Sequence, residues 1–137
     1  MRLTRTVPAL PVREMTAAVR CYTERFGFAV RHQEDGFAIV VRDEAELHLW
    51  LAGDAGWPLR PAAELAANPV CTGAETFLAG TASCRVAVDD VDGLYAELAA
   101  TEVLHPTSAQ GPADTDYGTR EFATLDLDGN LLTFFRS

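Results

Sequence analysis

The amino-acid sequence contains one pattern of apolar residues twice. The apolar positions of Leu10–Tyr22 recur in Val86–Leu98, always 76 residues later. A second match joins Phe37–Leu51 to Phe122–Phe135, at a separation of 85 residues. Self-similarity at a fixed spacing indicates a duplicated structural unit. Two equivalent half-sheets packed side by side leave a cleft between them, and clefts are where small molecules bind.

Length and charge restrict the function further. A chain of 137 residues suits one compact domain. Its 20 acidic residues outnumber 11 basic ones, all of them Arg, and the net charge is −9. An acidic surface repels phosphate backbones, so we expect no nucleic-acid partner. The charge either favours a cationic small molecule or serves only solubility.

No targeting or membrane-spanning pattern is visible in the sequence. The first ten residues, MRLTRTVPAL, lack the long apolar run of a signal peptide. No other stretch approaches the ~20 apolar residues that a membrane-spanning helix needs. We therefore expect no membrane partner and a cytoplasmic location.

Periodicity predicts the same element order in both halves. Apolar residues at helical spacing predict one helix from Met15 to Phe26, ended by Gly27, and a second from Val91 to Leu98, capped by Asp89 or Asp90. Alternation predicts four strands in each half. The first-half strands are Val7–Val12, Ala29–Gln33, Gly36–Val41 and Glu46–Leu51, and the second-half strands are Ser83–Val88, Val103–Pro106, Arg120–Asp126 and Leu131–Arg136.

The predicted fold class is α+β. Two tandem βαβββ modules, residues 1–52 and 83–137, form a half-open mixed β-barrel with the helices on the outside, all within one domain of residues 1–137. The connection 53–82 contains Pro58, Pro61 and Pro69, which exclude a long helix or a central strand, while Pro61–Asn68 has room for two helical turns. This connection is either a lid over the site or a surface loop.

Strand alternation sorts the side chains of each half. In the strand ending at Leu51, for example, Leu47, Leu49 and Leu51 are predicted to pack on the helices while Glu46, His48 and Trp50 face the cleft. The predicted wall of the cleft consists of Val7, Glu46, His48, Trp50, Ser83, Arg85, Thr133 and Phe135. This mixture of aromatic faces and a few polar groups is typical of a small-molecule site.

The predicted wall does not favour catalysis. It lacks the three or four convergent His, Asp or Glu residues of a catalytic metal site, and the sequence contains no nucleophile elbow, phosphate loop or dinucleotide fingerprint. Glu46 and His48 share a strand face and form either an acid–base pair or a plain solvated pair. We therefore predict no catalytic residue, no metal and no cofactor.

The segments VPALPVREM, CYTERFGF, EDGFAIVVRDEAELHLWL and YGTREFATLDLDGNLLTFF resemble those of the glyoxalase/bleomycin resistance protein/dioxygenase (vicinal oxygen chelate) superfamily. The resemblance covers nearly the whole chain except 53–80, and it is greatest to the drug-binding bleomycin-resistance branch. The metal-ligand positions of the superfamily's enzymes correspond here to Val7, His48, Ser83 and Thr133. Three of these four residues are not usual metal ligands, and the bleomycin-resistance branch also lacks the metal site.

The resemblance implies a non-catalytic homodimer that sequesters a bleomycin-type or similar planar cytotoxic antibiotic and so confers resistance. Phe37 and Tyr117 are implied to stack on the flat tail of the drug, beside Trp50 and near acids such as Glu34, Asp35 and Glu46. Pro8 stands at the implied hinge of an exchanged N-terminal strand. Two alternatives stay open: a metal-dependent enzyme of the superfamily, in which Glu121 or Asp126 assists Glu46 and His48, and a binder of an ordinary metabolite, which Arg85 favours.

Overall fold

The computed structural model describes residues 1–52, 62–63 and 78–137. Most of the predicted connection, including Pro61–Asn68 except for residues 62–63, lies outside these residues. The first half contains β1 (Ala9–Val12), α1 (Met15–Glu24), β2 (Ala29–Glu34), β3 (Phe37–Arg42) and β4 (Ala45–Leu51). The second half contains β5 (Ser83–Ala87), α2 (Val91–Ala99), a 3-10 turn (Pro106–Ser108), β6 (Ala113–Asp114), β7 (Arg120–Leu125) and β8 (Leu131–Arg136).

The predicted α+β class and the two βαβββ modules are confirmed. Sheet A has the strand order β1-β4-β3-β2 and sheet B the equivalent order β5-β8-β7-β6. In each sheet the first strand pairs in parallel with the last, and the other pairs are antiparallel. Among the described residues no strand of one sheet pairs with a strand of the other, so the barrel stays open.

The predicted strand Val103–Pro106 is wrong. Leu104 makes only an isolated bridge to Thr124, and the 3-10 turn begins at Pro106. Proline has no backbone N–H for a strand ladder and fits the first position of a helical turn. The second strand of this module is instead the two-residue β6 further along the chain.

Both helices begin at carboxylate caps. The Glu14 side chain accepts hydrogen bonds from the backbone N–H groups of Thr16 and Ala17, at 3.0 and 2.7 Å. Asp90, one of the two predicted caps, accepts from the N–H of Gly93 at 2.9 Å. Because the first N–H groups of a helix have no partner inside it, these carboxylates fix where each helix starts. Among the described residues no helix is long and apolar enough to span a bilayer.

The two modules share one hydrophobic core. Leu47 and Leu49 of sheet A and Leu132 and Phe134 of sheet B are buried in the same cluster. The rings of Phe26 and Phe134 lie 6.4 Å apart between the modules. The opposite face of each sheet therefore points away from this core. Leu51 was predicted to pack inward, but it is 40% exposed because it is the last residue of β4, at the edge of the core.

The sequence match between β3 and β7 is displaced by one residue. Ala38 pairs with Leu49 and Phe122 pairs with Phe134, so Ala38 and Phe122 occupy equivalent positions. The structural counterpart of Phe37 is consequently Glu121. A displacement of one residue along a strand exchanges its two faces, which explains why Phe37 faces outward while Phe122 is 1% exposed in the core.

Candidate ligand-binding site

Three aromatic side chains lie together on the outward face of sheet A. Phe37 of β3 pairs directly with Trp50 of β4, and His48 lies two residues before Trp50 on the same face. The Phe37 ring meets His48 edge-on at 5.1 Å and Trp50 at 6.0 Å between ring centroids. We call Phe37, His48 and Trp50 the aromatic cluster. Its rings are half-buried, so they offer apolar area to a flat ligand.

Glu46 anchors the edge of the aromatic cluster. Its carboxylate contacts Nε2 of His48 at 3.0 Å, Nη1 of Arg31 at 2.7 Å and Nη2 of Arg5 at 3.4 Å. Loss of hydration raises the pKa of the Glu46 carboxyl, but the hydrogen bonds from His48 and Arg31 outweigh that effect and hold the pKa below its usual value. Glu46 is therefore an ionised, cation-bound carboxylate, and it orients the His48 ring.

The indole N–H of Trp50 is buried without a hydrogen-bond partner among the described residues. A buried polar group without a partner costs roughly 1–3 kcal/mol. A ligand that presents an oxygen or nitrogen acceptor to Nε1 would remove this cost. The aromatic cluster thus combines ring faces with one donor that has no partner in the described part of the chain.

An ionic cluster occupies the equivalent face of sheet B. Arg85 donates from Nη2 to Oε2 of Glu121 at 2.6 Å, and its Cζ lies 4.6 Å from the ring centroid of Phe135. Tyr117 and Thr119 donate to the same carboxylate at 3.0 and 2.9 Å. The hydrogen bond from Arg85 is the main reason that the pKa of Glu121 is lowered, and the bond to Glu121 likewise raises the pKa of Arg85. We call Arg85, Tyr117, Glu121 and Phe135 the ionic cluster.

The strand register relates the two clusters position by position. In sheet A, Ala9 lies beside His48; in sheet B, Arg85 lies beside Thr133. Phe37 and Trp50 correspond in the same way to Glu121 and Phe135. The duplicated unit has therefore become aromatic on one sheet and ionic on the other.

The remaining predicted positions contribute less to these faces. Ser83 is exposed at the start of β5, and Thr133 is only 9% exposed between Arg85 and Ala123. Val7 and Ser83 precede the register positions of Ala9 and Arg85 by two residues, so neither lies beside His48 or Thr133 in the ladder.

The predicted binding residues divide between two faces. Phe37, Glu46, His48 and Trp50 lie on sheet A, whereas Ser83, Arg85, Thr133 and Phe135 lie on sheet B, where Tyr117 contacts Glu121. Within residues 1–52 and 78–137, no hydrogen bond, ion pair or ring contact joins the aromatic cluster to the ionic cluster. Both faces point away from the common core. In one chain these residues therefore lie on two separate sheet faces, and their role in binding stays a prediction.

Arg85 does not present the bare positive charge that the sequence implied. Its side chain is 45% exposed, and its charge is matched by Glu121. Arg31 is a site residue that the sequence did not reveal. It is the extra residue of a bulge in β2, where the pairing with β3 shifts between Val30 and His32. No Gly or Pro marks this bulge, so the sequence carried no signal of it.

The residues suggested for a partial metal site are not gathered. The buried carboxylate of Asp126 accepts hydrogen bonds from Tyr22, Asp128 and Asn130, and Glu121 is held by Arg85. Both carboxylates belong to the second module, whereas Glu46 and His48 lie on sheet A. In the part of the chain that the structure describes, no three His, Cys, Asp or Glu side chains come close enough to share an ion.

The structure defines a class of small α+β proteins built from two tandem βαβββ modules. In this class the sheet faces that point away from the core carry polar and aromatic side chains. The chain belongs to the Glyoxalase/Bleomycin resistance protein/Dioxygenase superfamily, whose family profile matches residues 2–134. This confirms the resemblance inferred from the sequence segments.

Relatives and solved structures agree with this membership. Proteins named "Bleomycin resistance protein" from Geobacillus stearothermophilus and Staphylococcus aureus are 42% identical over 131 residues, covering 96% of this chain and 95% of theirs. A bleomycin-binding protein of Streptomyces verticillus, solved with copper(II)-bleomycin, has a TM-score of 0.71 at 23% identity over 100% of this chain and 98% of that one. A lactoylglutathione lyase from Agrobacterium tumefaciens also scores 0.71, at 16% identity over 100% and 96%. At such identities the solved structures establish the shared fold.

Proposed function

We propose that this protein binds a bleomycin-type antibiotic and sequesters it without chemical change. The observation that carries the proposal is the aromatic cluster, in which the Trp50 N–H has no hydrogen-bond partner among the described residues. Relatives that are 42% identical over nearly the full length bear the name bleomycin resistance protein. Resistance would follow from binding alone, because a sequestered drug cannot reach its target.

The aromatic cluster suits the flat tail of such a drug. Phe37 and Trp50 meet edge-on, and this leaves their ring faces available for an added flat ring. Aromatic contacts of this kind contribute about 0.5–1.5 kcal/mol beyond the buried area. The N–H of Trp50 would donate to a heteroatom of the ligand, and this hydrogen bond would fix its orientation.

The charge of the protein suits the cationic end of the drug. The net charge of −9 draws cations towards the surface. Arg85 does not oppose them, because Glu121 matches its charge at 2.6 Å. Glu34 and Asp35 are exposed beside Phe37, at the β2–β3 turn, where they extend the negative field.

The second wall of the site would come from a second copy of the chain. We propose a homodimer in which the aromatic cluster of one copy faces the ionic cluster of its partner, which brings Phe37 and Tyr117 to opposite sides of one ligand. The separation of the two clusters within one chain supports this arrangement. An exchanged N-terminal strand hinged at Pro8 and a cytoplasmic location remain predictions.

Calorimetry with copper-loaded bleomycin tests the proposed function. The wild type should bind saturably, with one drug per chain. Phe37→Ala should weaken binding about tenfold, which corresponds to a loss of roughly 1.4 kcal/mol. Leu127→Ala, which removes an exposed apolar side chain from the β7–β8 turn, should leave the affinity unchanged. Absence of binding at high micromolar drug would exclude this class of ligand.

A further inference from the structure

A cavity opens between the two modules, away from both the aromatic cluster and the ionic cluster. Its volume is about 590 Å³, and none of the predicted binding residues lines it. One wall is the β3–β4 turn, and the other is formed by the end of β5 and the start of α2. Half-buried Val86, Val88 and Leu94 expose apolar surface inside it. We call this cavity the acidic groove, because Asp43, Glu44 and Asp89 are among its lining residues.

Carboxylates from both walls face this apolar interior. Asp43 and Glu44 stand on the β3–β4 turn, and Asp89 stands at the end of β5. All three are exposed, and none forms an ion pair within the described residues. Arg42 is the one cation among the lining residues, and Glu97 binds it bidentately at 2.7 and 3.0 Å. The acidic groove therefore carries a net negative charge.

The duplicated unit shows why the groove is open. Arg13 lies 76 residues before Asp89, at the equivalent junction of the first module. There the opposite module's turn closes on the junction: Arg13 donates to Asp128 through its backbone N–H at 3.0 Å and through Nη1 at 3.2 Å. At the groove, Asp89 instead faces Asp43 and Glu44. Like charges cannot make this bond, so the acidic groove lacks a counterpart of the Arg13–Asp128 contact within the described residues.

We propose that the acidic groove binds a small amphipathic organic cation, at a site independent of the one on the sheet faces. Its volume lies within the range of roughly 300–1,000 Å³ that is usual for small-molecule sites. The apolar part of such a ligand would cover Val86, Val88 and Leu94. Its positive charge would lie between Asp43 and Asp89, which form no ion pair within the described residues.

Tetraphenylphosphonium is a suitable probe, because tetraphenylborate has nearly the same shape and the opposite charge. Calorimetry on the protein as purified should show binding of the cation and none of the borate. Asp43→Asn combined with Asp89→Asn should weaken cation binding about tenfold, since two attractive charges are lost. Glu24→Gln combined with Glu102→Gln changes the net charge equally at exposed sites outside the groove, and it should have no effect.

Further arms of the experiment separate this site from the proposed drug site. Phe37→Ala and saturating copper-bleomycin should both leave tetraphenylphosphonium binding unchanged. Displacement by the drug, or equal weakening by both pairs of charge variants, would overturn the proposal. Failure of the bleomycin titration alone would leave the acidic groove supported.

Discussion

The carboxylate of Asp126 is buried and serves the fold, because all of its hydrogen bonds are made to neighbouring groups of the chain. It is 7% exposed, and its two oxygens accept hydrogen bonds from the Tyr22 hydroxyl at 2.7 Å, from both nitrogens of Asn130 at 2.8 and 2.9 Å, and from the Asp128 N–H at 2.9 Å. Asn130 in turn donates to the carbonyl of Pro11. This network joins α1 and β1 of the first module to the β7–β8 turn of the second.

Asp126→Ala should lower the free energy of unfolding by about 3 kcal/mol, because it leaves the Tyr22 hydroxyl, the backbone N–H of Asn130 and one N–H of the Asn130 side chain buried without an acceptor. Urea denaturation with an unchanged m-value measures this loss. Asp116→Ala, which removes an exposed carboxylate, should change stability by less than about 0.5 kcal/mol. Equal effects of the two variants would contradict the structural role of Asp126.

The Arg85–Glu121 ion pair predicts that the free energy of unfolding decreases as the pH falls into the acid range. Because the pKa of Glu121 is lower in the folded chain than its unfolded value of about 4.3, the unfolded state binds more protons as the pH falls. The stabilisation is complete above that value and is lost as the pH drops through the lower, folded pKa. The pKa of Glu97 is lowered by Arg42 in the same direction, while desolvation raises that of Asp128 in the opposite direction.

Glu121→Gln should therefore lose less stability than the wild type between about pH 4.5 and pH 3. Urea midpoints measured across this range provide the comparison. The control is Glu24→Gln, since Glu24 is exposed and makes no ion pair within the described residues. Parallel curves for Glu121→Gln and the wild type would show that the ion pair does not contribute.

Where a strand is regular, the alternation of apolar and polar residues predicted correctly which face of the sheet each side chain occupies. It assigned Leu47 and Leu49 to the core and Glu46, His48 and Trp50 to the opposite face, and the structure confirms those faces. It could not find Arg31, because a bulge depends on pairing between strands that a local pattern does not contain. The partner that neutralises Arg85 was equally invisible, since Glu121 lies 36 residues away.

At the scale of elements, the helix starts follow from single carboxylates. Glu14 has a longer side chain than the residues that usually cap helices, so the sequence alone does not favour it as a cap. Its carboxylate nevertheless accepts hydrogen bonds from two backbone N–H groups of α1. α1 carries much of the shared core through Met15, Val19 and Tyr22. Loss of this cap would consequently loosen the packing of the first module as well as the helix end.

Glu14→Ala should destabilise the protein by about 1 kcal/mol, the typical value for a lost cap. Glu14→Asp should recover part of this, because aspartate is itself a favoured cap. Thermal unfolding followed by circular dichroism measures the three unfolding temperatures, which should decrease from the wild type to Glu14→Asp to Glu14→Ala. If Glu14→Ala unfolds at the temperature of the wild type, the carboxylate does not cap α1 in solution.

Element order was predictable because each half repeats the same periodicity, but strand equivalence was not. The sequence aligned Phe37 with Phe122 by residue type, whereas pairing makes Glu121 the counterpart of Phe37. The turn between β7 and β8 is longer than that between β3 and β4, so a single offset cannot fit both strands of the hairpin. Sequence similarity detected the duplication, and only the hydrogen-bond ladder fixed its register.

At the scale of the whole molecule, duplication gives each chain two unlike faces, and within the described residues no contact joins them. The aromatic cluster lies on sheet A, the ionic cluster lies on sheet B, and the common core lies between the opposite faces of the two sheets. In the proposed homodimer, a ligand held by both clusters would be bound by two copies of the chain. In a symmetric pair, each copy would lend one wall to each of two identical sites.

Mixing two defective variants tests this arrangement. Phe37→Ala removes the aromatic wall and Tyr117→Ala the ionic wall, so each variant alone should bind copper-bleomycin weakly at all sites. After unfolding and refolding together, half of the dimers would contain one copy of each variant, and each mixed dimer would have one intact site and one doubly altered site. About a quarter of all sites should then bind with wild-type affinity. If both walls belonged to a single chain, no intact site could form, and the mixture would bind as weakly as its two components.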